Sequence, residues 1–107
     1  MLNEICVMGR FVKDPELRFT QNEKAVANYT IACERDRAVN GERQTDFIDC
    51  VSWDKSAEFV SKYFHKGSMA VVRGRLQTRK WEDKDGNKRI NFEIVAENVY
   101  FADSHRE

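Results

Sequence analysis

Residues 70–81 read AVVRGRLQTRKW, and this stretch decides both the fold class and the candidate function. Side chains of a β-strand alternate between its two faces. One face collects small and apolar residues, which suit the inside of a small barrel: Ala70, Val72, Gly74, Leu76 and Thr78. The other collects basic and aromatic ones: Val71, Arg73, Arg75, Gln77, Arg79 and Trp81. We predict an outward row of three guanidiniums and an indole, with no acidic residue before Glu82.

Four further strands are predicted around this one. They cover residues 2–12, 25–35, 46–53 and 89–101, with the central strand at 69–81. In the second strand Ala27, Tyr29, Ile31 and Cys33 share one face, and this period of two is typical of a half-buried strand. Polar turns separate the strands at 21–24 and 85–86, and a loop at 36–45 is centred on Asn40-Gly41.

One helix is predicted between the third and fourth strands. Asp54 can cap its first turn, and Gly67 suits the left-handed position at its end. An apolar stripe at helical spacing lies between them: Ala57, Val60, Tyr63 and Phe64, with Phe59 beside it. The order β-β-β-α-β-β predicts a mainly all-β fold, a five-stranded OB-fold barrel with one α-helix between strands 3 and 4.

Two large aromatics on the third strand bear on function. Phe47 and Trp53 could belong to the core, as most aromatics do. Ile48 and Cys50, however, already supply an inward set, so Phe47 and Trp53 are expected to point outward. Exposed rings beside arginines suit unpaired nucleotides, because bases stack on rings at about 1–3 kcal/mol each and guanidiniums meet phosphates. A solvated charged face is the alternative interpretation.

Composition limits the alternatives. The 107 residues predict one domain, taken as residues 1–102, with a short C-terminal end at 103–107 and no long acidic-tipped tail. Eighteen basic residues balance eighteen acidic ones, which excludes a globally basic coat protein but not a local basic stripe. Apolar runs are too short for a membrane span or a signal peptide, so a cytoplasmic location and no membrane partner are predicted.

Catalysis, metal binding and cofactors are not expected. The three cysteines form no C-x-x-C pair, which argues against zinc and predicts reduced, packed thiols. No G-x-S-x-G or phosphate-binding loop occurs. Asp46 and Asp49 fall on opposite strand faces, and Asp54 is assigned to the helix cap, so these carboxylates do not converge. We predict no catalytic residue, no metal site and no cofactor.

An ordered series of motifs points to a family. It comprises Gly9-Arg10, KDPELRFT at 13–20, AVAN at 25–28, Asp46-Phe47 through Trp53, KGS at 66–68 and GRLQTRKW at 74–81. Over residues 1–101 the chain resembles the bacterial single-stranded DNA-binding (SSB) proteins. This resemblance implies a nucleoid-associated homotetramer that wraps single-stranded DNA without sequence preference in replication, recombination or repair.

The resemblance also implies which residues contact DNA. Bases would stack at Phe47, Trp53 and Trp81. The predicted DNA-contacting set is Arg10, Arg18, Phe19, Asn28, Thr30, Arg35, Arg37, Phe47, Trp53, Lys55, Arg73, Arg75, Gln77, Arg79, Lys80 and Trp81. The loop cations in this set are also interpretable as ordinary surface charges.

The chain departs from the family pattern in three places. Family members often carry another aromatic where this chain has Glu34-Arg35-Asp36-Arg37. Asp49 stands where a neutral or basic residue is common, and it should repel phosphate locally. Many members end in an acidic tip that recruits replication and repair proteins. This sequence ends at His105-Arg106-Glu107, so it does not decide whether such proteins are recruited.

Alternative functions stay open at this point. An RNA-binding OB-fold module would use the same stacking and phosphate contacts, because neither reads the 2′-hydroxyl. A structural or assembly OB-fold protein would use the barrel to bind another protein. A metal-dependent OB-type nuclease is the enzymatic alternative.

Overall fold

The computed structural model describes residues 1–103, in which it places six β-strands and one α-helix. In chain order these are β1 (Ile5–Phe11), β2 (Glu16–Phe19), β3 (Ala25–Val39), β4 (Glu42–Trp53), α1 (Asp54–Tyr63), β5 (Met69–Glu82) and β6 (Lys88–Phe101). Of the C-terminal end predicted at 103–107, residues 104–107 lie outside the described part. No helix in residues 1–103 is long and apolar enough to cross a membrane.

Five of the strands close into a barrel. Around the ring the order is β1, β5, β6, β4 and β3, and β3 pairs again with β1. Arg10 marks the closure, because it has Met69 of β5 as a partner on one side and Ala32 of β3 on the other. The β4–β6 pair is parallel and the other pairs are antiparallel. The predicted five-stranded OB-fold barrel is confirmed, with its helix between the third and fourth barrel strands.

One strand, β2, is additional to the five that were predicted. It pairs with residues 25–28 of β3, outside the barrel ring. All four of its residues are exposed, so no alternation of apolar and polar side chains reveals it.

The core fills the barrel from the inward faces of the strands and from α1. Phe11 lies at its centre, stacked on Tyr29 at 4.9 Å and on Phe64 at 5.2 Å between ring centroids. A hydrogen bond of 2.7 Å joins the Tyr29 hydroxyl to Ser52, so these two buried hydroxyls are paired. Burying each such phenylalanine contributes about 1.5–3 kcal/mol. The inward faces predicted for the second and third strands are confirmed.

Both ends of the helix differ from the prediction. Trp53, not Asp54, occupies the N-cap position, and no side chain caps the helix. Asp54 has a φ of +55° and belongs to the first turn. The helix ends at Tyr63, and Gly67 comes four residues later, in a turn closed by the bond from the Ser68 N–H to the His65 carbonyl. Its φ of +90° is left-handed as predicted.

Two β-hairpin arms extend from the barrel. The predicted loop at 36–45 is wrong, because β3 and β4 continue as paired strands to the Asn40-Gly41 turn. The turn itself is confirmed, with both residues at positive φ. In the β5–β6 arm Leu76 and Thr78 are exposed, although an inward position was predicted for both, because the arm has left the core. The arms account for a radius of gyration of 15.2 Å, against ~13 Å for a compact domain of this size.

Candidate nucleic-acid interface

Four neighbouring strands form one continuous outer surface, which we call the four-strand face. Strand pairing across β3, β4, β6 and β5 aligns its residues in two rows. The rows are Thr30, Asp49, Glu93, Gln77, and Asn28, Val51, Val95, Arg75. Val51 is buried within its row, whereas Arg75 at the end of that row is exposed. The structure therefore brings together two predicted contact residues from β3 and two from β5, although at least 45 positions separate the first pair from the second in the sequence.

The three predicted stacking residues are all exposed. Phe47 is 68% exposed and Trp53 is 41% exposed on β4, and Trp81 is 46% exposed on the β5–β6 arm. Ile48 and Cys50 pack on the opposite side of β4, against the core. The outward orientation predicted for Phe47 and Trp53 is confirmed. The two rings are six residues apart on one strand, which places them about 20 Å from each other.

Arg18 lies near Trp53. Its partner across β2 and β3 is Val26, whose partner on β4 is Trp53. The Arg18 Nη2 donates to the side-chain oxygen of Asn28 at 3.2 Å, which holds the guanidinium beside the second row. Phe19 is the next residue of β2 and points to the other side of that strand, so it does not share the surface of Arg18.

Arg10 lies near Phe47 in the same way. Both have Ala32 as a partner, Arg10 from β1 and Phe47 from β4. The Arg10 Nη1 donates to the Gly67 carbonyl at 2.8 Å and lies 3.9 Å from the Asp103 carboxylate. Arg10, Ala32 and Phe47 line one concave region of the surface. Arg10 is thus tethered close to an exposed ring.

The outward face of β5 is not purely positive, which corrects the prediction, because carboxylates from other segments lie beside its arginines. Arg73 lies between two carboxylates, hydrogen-bonded to Glu4 and 3.5 Å from Glu97. Arg79 pairs with Glu93 at 3.0 Å. The acids come from β6 and from the residues before β1, so the sequence of β5 by itself could not reveal them.

Arg35 is also paired within the chain. Its Nε and Nη2 donate to the two oxygens of Asp46 at 3.0 and 2.9 Å. This two-bond contact holds the pKa of the Asp46 carboxyl below its usual range. It also raises the pKa of Arg35. Asp46 lies on β4 of the same arm, at the first residue of the strand predicted for 46–53.

Four predicted cations are free of such contacts. Within residues 1–103 they form no ion pair and no side-chain hydrogen bond. They are Arg37, Lys55, Arg75 and Lys80. Arg75 is the one that lies within the rows of the four-strand face. It is therefore the cation there whose charge no acid of the described chain offsets by direct contact.

Two carboxylates lie side by side at the centre of the four-strand face. Asp49 and Glu93 are partners in the parallel β4–β6 pair. Thr30 donates to Asp49 at 2.9 Å, and Gln77 donates to Glu93 at 3.0 Å. Thr30 and Gln77 are thus bound to carboxylates rather than presented freely. A phosphate at this point meets negative charge unless Arg79 turns toward it.

The predicted set omitted one cation that lies beside a stacking residue. Arg89 on β6 is the cross-strand partner of Trp81, and its Nε donates to Asp83 at 3.0 Å. The sequence could have placed Arg89 opposite Trp81 from the Asp85-Gly86 turn, because a hairpin turn fixes which residues face each other. Among residues 1–103, no three His, Cys, Asp or Glu side chains are grouped to hold a metal ion.

Comparison with known proteins identifies relatives across this whole region. A family model described as the single-strand binding protein family matches residues 2–102. "Single-stranded DNA-binding protein 2" of Listeria monocytogenes is 50% identical over 102 residues, which is 94% of this chain and 64% of that protein. "Single-stranded DNA-binding protein A" of Bacillus subtilis is 48% identical over 94% of this chain and 59% of its own length. The chain spans about three fifths of the length of these curated relatives.

Proposed function

Because the chain belongs to the single-strand binding protein family, we propose that it binds single-stranded DNA without catalysis and with little dependence on base sequence. The exposure of Phe47, Trp53 and Trp81 next to cations carries this proposal. A ring offers a stacking surface to any base, so affinity gained in this way does not depend on sequence. A duplex hides its base faces, so the same rings discriminate against it.

The mechanism combines stacking with phosphate contacts from the predicted set. Arg37, Lys55, Arg75 and Lys80 meet phosphates directly. Arg35, Arg73 and Arg79 first exchange a carboxylate partner for a phosphate, and that exchange lowers the gain from each contact. Binding through several phosphates releases counterions, so affinity falls as salt rises.

We further propose that the chains assemble as homotetramers. A single chain leaves several large apolar side chains open to water, and such exposure is typical of association surfaces. Met8, Phe92, Ile90 and Tyr100 are between 52% and 60% exposed. Light scattering should give four times the mass of one chain, and a monomer mass at micromolar concentration would contradict the tetramer.

The cellular role follows from the ligand. We propose that the protein protects single-stranded DNA in bacterial replication, recombination and repair, in the cytoplasm at the nucleoid, because these processes expose unpaired strands there. The two relatives named above are bacterial proteins called single-stranded DNA-binding proteins.

Titration with oligodeoxythymidine tests the proposal. The chain has two tryptophans, Trp53 and Trp81, and both lie on the proposed surface, so stacking should quench the emission. Trp81→Ala should weaken binding by about 1–3 kcal/mol and leave the circular dichroism spectrum unchanged. No quenching by any oligonucleotide would favour a structural or assembly protein instead.

Competition separates DNA from RNA as the ligand. Unlabelled poly-deoxythymidine should displace a labelled oligodeoxythymidine more effectively than poly-uridine does. Stronger displacement by poly-uridine would favour the RNA-binding alternative. Cleavage of the strand that requires a divalent metal and stops with chelator would favour the nuclease.

A further inference from the structure

The turn at the tip of the β5–β6 arm is organised around one carboxylate. Oδ1 of Asp83 accepts the backbone N–H groups of Asn87 at 2.9 Å and Asp85 at 3.0 Å. The backbone of Asp83 is bound as well, since its N–H donates to the Asn87 carbonyl and its carbonyl accepts from Gly86. The hydrogen bonds to the carboxylate itself, with the one from the Asn87 backbone N–H first, lower the pKa of the Asp83 carboxyl. Asp83 is thus fixed at the end of the arm.

The second oxygen of the same carboxylate holds Arg89. Oδ2 accepts from the Arg89 Nε at 3.0 Å. A guanidinium has five N–H donors, so the four on its terminal nitrogens remain. Within residues 1–103 those nitrogens make no hydrogen bond or ion pair. Arg73 and Arg79 differ, because their carboxylate partners occupy terminal nitrogens.

Arg89 is held beside an exposed ring. Trp81 and Arg89 are cross-strand partners, and such partners on one side of a ribbon have Cβ atoms about 4.5–5.5 Å apart. Both side chains are substantially exposed. They line a concave region at the tip of the arm together with Lys80, Glu82, Lys88 and Ile90. An anchored guanidinium, a stacking surface and an open concavity therefore occur together.

We propose that Asp83 is a positioning residue that holds Arg89 for the phosphate of the nucleotide stacked on Trp81, so that the arm tip forms a one-nucleotide subsite. This inference rests on the proposed function. A guanidinium anchored through Nε presents its two terminal nitrogens as a fork, which matches the oxygens of a phosphate. Because the side chain is already ordered, less conformational freedom is lost when the nucleotide binds.

The acidic partner makes the proposal sharply testable. If charge alone governed binding, removing the negative charge of Asp83 would strengthen binding to DNA. If Asp83 instead positions Arg89, Asp83→Asn should weaken binding to DNA. Asp85 in the same turn provides a matched control, since Asp85→Asn makes the same change of charge, and the Asp85 side chain forms no ion pair or hydrogen bond within residues 1–103.

The experiment measures affinity for a short oligodeoxythymidine over a series of salt concentrations. We expect Arg89→Ala to lower affinity about tenfold, as for one charge-assisted contact, and to reduce the salt slope by less than the value of about 0.7 for an unpaired cation, because Asp83 already offsets part of its charge. Asp83→Asn should lower affinity severalfold, whereas Asp85→Asn should leave it unchanged or raise it. The double variant of Asp83→Asn with Arg89→Ala should bind no more weakly than Arg89→Ala alone.

A second variant avoids any disturbance of the turn. Arg89→Lys keeps the charge and Asp83 but loses the fork, so affinity should fall while the salt slope stays close to that of the unmodified protein. Unmodified affinity in Asp83→Asn or in Arg89→Lys would overturn the positioning role, and additive losses in the double variant would also do so. Failure of the unmodified protein to bind any single strand would instead reject the proposed function.

Discussion

Arg73 and Arg75 lie two residues apart on β5, yet their surroundings differ. Arg73 is held by Glu4 and Glu97, whereas Arg75 has no acidic partner within residues 1–103. Arg75→Ala should therefore reduce the salt slope of single-stranded DNA binding by about 0.7. Arg73→Ala should change it less, because a guanidinium already neutralised by carboxylates releases fewer counterions. Equal changes in the two slopes, measured by fluorescence titration, would contradict this difference.

Cys50 should be chemically inert in the folded protein. Burial raises the pKa of its thiol to about 12, and the thiolate is the reactive form. At pH 8 we expect Cys50 to be alkylated only after denaturation. Mass spectrometry of the labelled peptides measures this. Cys50→Ala should remove that signal. Labelling of native Cys50 at the denatured rate would refute the assignment.

The raised pKa of Cys50 also makes the stability of the fold depend on pH. The folded-state pKa is above the ordinary thiol value of about 8.5, so the neutral thiol favours the folded state below that pH. This contribution is lost as the pH rises toward 12.

Which way single residues point could be predicted on β3 and β4, because apolar and polar residues alternate there. Ile48 and Cys50 sufficed to place Phe47 outward. The partners of the arginines could not be predicted, since Glu4, Glu93 and Glu97 reach them through strand pairing distant in sequence. The sequence of β5 taken alone therefore made its outward face look more positive than it is.

At the level of elements, β5 and β6 approach so closely at Gly74 that a side chain does not fit. A Cβ at this position would lie 2.0 Å from the Val95 carbonyl oxygen. Gly74→Ala should lower the free energy of unfolding by at least about 1–3 kcal/mol, the usual cost of overpacking.

Thermal unfolding followed by circular dichroism checks this expectation. Ala38→Val is a suitable control, because it adds carbon atoms at an exposed position of the β3–β4 arm. An unfolding midpoint of Gly74→Ala equal to that of the control would show that the strands can separate without cost.

Elements with a buried face were predicted well, and elements without one were not. The predicted strand at 69–81 differs from β5 by a single residue, because Ala70, Val72 and Gly74 contact the core. The outer halves of β3 and β4 and all of β2 are exposed, so their pairing leaves no hydrophobic pattern. Backbone pairing, rather than burial, forms these segments.

For the whole molecule, a formal net charge of zero means that the proposed DNA binding depends on how charge is distributed. Rings and cations on one surface should give a preference for unpaired strands, since only these expose base faces. An excess of duplex should therefore displace a labelled oligodeoxythymidine far less than the same amount of unlabelled single strand. Equal displacement would show that phosphate contacts alone govern binding.

The carboxylates that hold Arg35, Arg73 and Arg79 also affect which polyanions the molecule tolerates. Polyphosphate and sulfated sugars offer charge but no flat aromatic groups, so they must compete with acids already in place and gain little in return. Unpaired nucleotides bring both. These ion pairs should therefore favour unpaired nucleotides over other polyanions of similar charge.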